Sequence, residues 1–155
     1  MDILNRLYSL AEEDGIPVLH LSLKTTRAMS LLDKGRCYIG MDDKQCESIA
    51  EQKVVLSHEL GHCETGSFYN QYSPFDIRER HELRADRWAI EKIVSQHYFK
   101  SAVNAGVTEP WELAELFNVP QSFMEKAISY YHMLDLMENE KDQPTAASVD
   151  WPEEM

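Results

Sequence analysis

A chain of 155 residues, 43% hydrophobic and 27% charged, is long enough to bury one core, too short for two independent ones, and too apolar for wholesale disorder. Its formal net charge of -12 repels a phosphate backbone and argues against nucleic acid as a direct partner, while suiting solubility or docking on a basic protein surface. The first residues lack the zones of a signal peptide, and no segment offers the roughly 18 uninterrupted apolar residues that cross a membrane, so a cytoplasmic protein is expected.

Ile3, Leu4, Leu7, Tyr8, Leu10 and Ala11 recur at helical spacing, and Gly15 followed by Pro17 supplies a stop, which predicts a first helix. Residues 18–23 read as a strand. Residues 29–32 and 37–41, joined across Asp33-Lys34-Gly35, read as a hairpin, so a small antiparallel sheet is expected near the N-terminal end. From about residue 43 to 64 there is no proline, and Cys46, Ile49, Ala50, Val54 and Leu60 form a stripe of helical period. The segment 66–76 mixes the turn formers Gly66, Asn70, Ser73 and Pro74 with Phe68, Tyr69, Tyr72 and Phe75, and reads as an ordered loop that lines a groove or caps the core.

Residues 77–99 predict another helix, with Leu83, Trp88, Ala89, Ile93 and Val94 inward. Gly106 breaks the chain, Thr108-Glu109-Pro110 starts a helix through Leu116, and Asn118-Val119-Pro120 turns into a last helix ending near Met137. The expected fold class is therefore α+β and mainly helical, with residues 1–137 as the folded domain and 138–155 as an acidic, disordered tail. Cys37, Cys46 and Cys63 are odd in number and lack Cys-x-x-Cys spacing, which predicts reduced thiols.

The chemistry concentrates in His58-Glu59-Leu60-Gly61-His62. On a helix, residues four apart stack on one face with a rise of roughly 6 Å, so both imidazoles can aim at one ion. Glu59 is then placed to reach a water rather than the ion, the position of a general base. Three protein ligands around zinc leave one coordination position open, the arrangement of a metalloprotease. A His-x-x-Gly-x-x-His continuation would supply the third ligand locally, but Thr65 and Phe68 stand at the corresponding places. In Arg80-His81-Glu82-Leu83-Arg84-Ala85-Asp86 two carboxylates lie four apart on one helical face. Glu82 can ligate while Asp86 accepts a hydrogen bond from the far nitrogen of a ligand histidine; His81 and Asp86 are the competing third ligands. Tyr69, Tyr72 and His81 are near enough in sequence to donate to a developing oxyanion.

Leu56-Ser57-His58-Glu59-Leu60-Gly61-His62 and Glu82-Leu83-Arg84-Ala85-Asp86-Arg87-Trp88-Ala89 resemble the ImmA/IrrE family of metallopeptidases, whose second segment reads Glu-x-x-Ala-(Asp/Asn)-x-Phe-Ala. The resemblance implies a zincin-like fold with a short sheet packed on the active-site helix, zinc bound by His58, His62 and Glu82, and Glu59 as catalytic base. It also implies a protein substrate, a helix-turn-helix repressor of a phage or mobile element whose cleavage relieves repression. Two departures, Trp88 for the usual phenylalanine and Ile93-Val94-Ser95 for a common Leu-Met-Pro run, fall on packing positions.

Two other functions compete. Glu112 to Pro120, followed by Phe123, Ala127 and Ile128, has the spacing of a helix-turn-helix unit, although Gln121-Ser122-Phe123-Met124-Glu125-Lys126 carries only one Lys, offset by Glu125, to grip phosphates. A metal-dependent regulator that binds a repressor without cutting it is the third reading. Mn or Fe would also suit two imidazoles and a carboxylate.

Overall fold

Asp2 starts the first helix by accepting a hydrogen bond from the Asn5 amide, and Gly15 in the left-handed region ends that stretch of chain. The computed structural model describes residues 2–142. Their order is α1 (Ile3–Glu13), β1 (Val18–His20), β2 (Ala28–Asp33), β3 (Arg36–Met41), a short 3-10 turn (Asp43–Gln45), α2 (Ile49–Thr65), α3 (Phe75–Ile93), α4 (Gln96–Asn104), α5 (Pro110–Phe117) and α6 (Gln121–Asp142). Helices and one three-stranded sheet make the α+β class expected from the sequence. None of the described helices is long and apolar enough to cross a membrane.

The hairpin forms as its turn chemistry dictates: Lys34 and Gly35 both have positive φ, 49° and 78°, the two-residue turn whose twist matches the strands. The sheet, however, is mixed rather than wholly antiparallel. Its order is β1-β3-β2, and β1 runs parallel to β3 with Val18 opposite Ile39. A three-residue strand carries no local signal for its partner, so the choice falls to packing. The helix expected from residue 43 begins at Ile49, because Ser48 caps it by accepting from the Glu51 amide. The helix expected over 77–99 is two, divided at Val94-Ser95, where the Ser95 hydroxyl caps α4. At the far end α6 passes Met137 and continues through Asp142: its run of helix formers meets no breaker before Pro144. The remainder of the expected tail, residues 143–155, lies outside the described residues.

Leu56 and Leu60 of α2 join Leu7, Ala11, Ile39 and Met41 in one core, between the helix, α1 and the sheet. A second core, with Ala89, Ile90, Ile93, Leu113, Met124 and Tyr131, binds α3 to α4, α5 and α6. Leu83, expected inward, is instead 46% exposed. The expectation of three reduced cysteines is corrected: Cys37 of β3 and Cys63 of α2 are joined in a disulfide, and Cys46 alone is free. Packing of β3 on α2 brings their Cα atoms to 5.8 Å, a proximity that a separation of 26 residues does not disclose.

Candidate metal centre

Gly61, between the two histidines of α2, lets α3 come close. A methyl group there would stand 2.6 Å from the Ala85 carbonyl oxygen and 3.0 Å from its Cα, so only a residue without a side chain fits this crossing. Ala85 in turn sits between Glu82 and Asp86, and the close approach lays both carboxylates against the histidine face. His58 Nε2 is 2.9 Å from Glu82 Oε2, His62 Nε2 is 3.1 Å from Glu82 Oε1, and the two Nε2 atoms are 3.1 Å apart. Of the candidate third ligands, Glu82 is the one that completes a cluster: its carboxylate and the two imidazoles offer three donor atoms within 4.8 Å of one another.

The opposite ring nitrogens are committed. His58 Nδ1 donates to Asp86 Oδ1 at 2.8 Å, and His62 Nδ1 donates to the buried Ser67 carbonyl at 2.5 Å. With Nδ1 protonated on both, each neutral ring must present Nε2 as a lone pair, and both lone pairs face Glu82. This donor set suits a divalent transition ion. Asp86 is itself held from the far side by Lys126 of α6, at 3.1 Å.

The electrostatics point the same way. Burial works against charge on His58, but hydrogen bonds to Asp86 and Glu82, with the charges behind them, outweigh it and push its pKa up to about 10. His62 is raised as well, burial being overcome by Glu82 and the Ser67 carbonyl. Glu82, bonded by His58 and His62 and then by Tyr69, is held well below the ordinary carboxylate range. Asp86 is lowered despite its burial, by the bond and charge of His58 and by Lys126. Two firmly ionised carboxylates thus demand positive charge at the point where the imidazoles meet, and protons and a metal ion compete to supply it.

Open space lies on both sides of this cluster. One hollow of about 300 Å³ is walled by β2, α2 and the start of α6, and the other, of about 280 Å³, by β2 and the loop after α2. Glu59, Glu82, Thr26 and Ala28 line both, so Glu59 faces the cleft and the edge strand β2 forms its rim. Among the three expected oxyanion donors, Tyr69 alone lines the cleft, with its hydroxyl donating to Glu82 Oε1 at 2.7 Å. Tyr72 is 85% exposed, and His81 stacks on the Tyr69 ring without lining either hollow. Phe68 of the aromatic loop also lines the cleft, whereas Phe75 is exposed. Sequence reasoning missed Ser67, which acts through a backbone carbonyl, and Lys126, which arrives from 40 residues beyond Asp86; neither carries a local signal.

The IrrE N-terminal-like domain family of peptidases, Peptidase M78, matches residues 11–129. Comparison with curated proteins and with solved structures returns no match. The matched span runs from α1 to α6 and takes in both helices that carry His58, His62 and Glu82, so the chain belongs to the IrrE N-terminal-like peptidase family M78, a family of metallopeptidases.

Proposed function

We propose that this chain is a zinc-dependent endopeptidase that cleaves a helix-turn-helix repressor of a phage or mobile element and so relieves repression. The observation that carries the reading is the convergence of His58 Nε2, His62 Nε2 and the Glu82 carboxylate at the floor of an open cleft, with Glu59 facing the same space. His58, His62 and Glu82 would hold zinc; when bound, a divalent ion there polarises a substrate carbonyl and lowers the pKa of water to roughly 7.

The chain's own residues do the rest. Glu59 takes the proton of the attacking water and returns it to the leaving amine. Asp86 and the Ser67 carbonyl keep the two imidazoles in the tautomer and orientation the site needs. Tyr69, on leaving Glu82, donates its hydroxyl hydrogen to the oxyanion that develops on the scissile carbonyl. The edge of β2, unpaired among the described residues, offers backbone groups to an extended substrate strand laid along the cleft. An acidic chain of net charge -12 is suited to approach a basic DNA-binding protein. The α5–α6 turn supports this reading over direct DNA binding, since Phe123, Met124 and Ala127 are spent on the core and Lys126 on Asp86.

The test is Glu59→Gln in the zinc-loaded chain, incubated with a repressor encoded beside it and followed by fragment mass. Retained zinc with cleavage abolished is the expected result. Cleavage that persists refutes Glu59 as the base. If the unsubstituted chain binds the repressor and leaves it intact, the non-proteolytic regulator is the correct reading.

A further inference from the structure

A separate hollow of about 580 Å³ opens between α3 and α6. Leu83, Ile90, Tyr130 and Met133 make its floor apolar, and the exposed Leu83 shows that no part of the described chain covers it. It is continuous with the metal cleft: Asp86, Ser122 and Lys126 form a wall common to both. A polypeptide whose scissile bond lies over the metal-facing histidines and which leaves on the α6 side passes into this groove.

One cation in the groove, Arg87, has no anionic partner among the described residues. The Arg87 guanidinium lies 5.5 Å above the Tyr130 ring and 3.9 Å from the Met133 sulfur, and its buried Nε makes no hydrogen bond among the described residues. The neighbouring acids are engaged elsewhere. Asp86 serves His58 and Lys126, Glu91 accepts from the Tyr130 hydroxyl, and Glu125 accepts from the Gln121 amide. A planar fork of donors stacked on an aromatic ring, half-buried and without an anion, is the arrangement that recognises a carboxylate.

We propose that the α3–α6 groove is a specificity extension of the substrate cleft, which takes a large apolar side chain of the protein substrate together with an adjacent carboxylate bound by Arg87. The inference rests on the peptidase reading and names what its substrate must carry. In a chain as acidic as this one, general charge favours basic partners; with Lys126 already paired to Asp86, Arg87 is the groove cation left for an acid and so fixes the register of a substrate.

The test immobilises the full-length Glu59→Gln chain, loaded with zinc, and passes a library of random dodecapeptides over it. Retained peptides are expected to be enriched in Leu, Phe or Met beside Asp or Glu. Adding Arg87→Glu should cut that enrichment roughly tenfold, the weight of one charge-assisted hydrogen bond in a half-buried site, and favour Lys or Arg instead. Ser129→Trp, at an exposed position on the groove wall, should fill it and abolish the enrichment without burdening the fold. Enrichment that is absent, or identical in all three chains, overturns the proposal. So does a dimer in sedimentation that Ser129→Trp dissolves, since the groove would then belong to a second copy. Incubating the retained peptides with the unsubstituted zinc-loaded chain separates the two levels: no cleavage sinks the peptidase reading, whereas cleavage indifferent to Arg87→Glu sinks the groove alone.

Discussion

Gly61→Ala tests the idea that one missing methyl group assembles the metal centre. The added carbon would lie 2.6, 3.0 and 3.2 Å from the carbonyl oxygen, Cα and carbonyl carbon of Ala85. The first of these is about 1 Å short of comfortable van der Waals separation. All three are backbone atoms of the fully buried Ala85, so no rotamer change relieves the clash and α3 must move away from α2. Overpacking of this kind costs about 1–3 kcal/mol, and the higher helix propensity of alanine returns about 1, which leaves a net loss of roughly 0–2 kcal/mol. The displaced helix carries Glu82 and Asp86, so zinc affinity should fall by roughly tenfold or more alongside stability. Urea unfolding of the metal-free chain and competition for zinc against a chromophoric chelator measure the two effects. Ala85→Gly should not rescue, because the clash is with backbone. If Gly61→Ala is stabilised by the amount expected of propensity alone and binds zinc as before, the crossing is not what assembles the site.

Asp86→Asn, which weakens the hold on His58 Nδ1, should cost about 10- to 100-fold in zinc affinity with little change in the far-ultraviolet dichroism of the helices; unchanged affinity would remove Asp86 from the site. The pH response should have opposite signs with and without metal. The pKa of His58 is raised from 6.5 to about 10, so in the metal-free chain its contribution to stability is complete below 6.5 and is lost as pH rises towards 10. Zinc must displace that proton, so its affinity should climb over the same interval, and parallel trends in a pH series of unfolding and chelator titrations would contradict the assignment. Reduction of the Cys37–Cys63 bond, which closes a loop of 26 residues, should lower stability by about 3–4 kcal/mol, read by unfolding with and without reductant and by alkylation mass; the Cys37→Ser chain should be insensitive to reductant.

Much of the centre was legible because its information is local. Two histidines four apart on a proline-free helix share a face whatever the rest of the chain does, and the same spacing puts Glu82 and Asp86 together on α3. The hairpin was legible for the same reason, its register being set by a two-residue turn. The parallel pairing of β1, the union of Cys37 with Cys63 and the approach of Lys126 to Asp86 were not, because each joins segments whose proximity comes only from how helices and sheet stack. Tyr69 could be named among three candidates, but a loop's backbone path decided that it, and not Tyr72, turns into the cleft. By itself the sequence determined which donors exist and which share a helical face, since backbone geometry imposes both within a few residues. Only the tertiary structure decided that the two faces meet, because that depends on α3 lying against Gly61 at a distance any side chain would forbid.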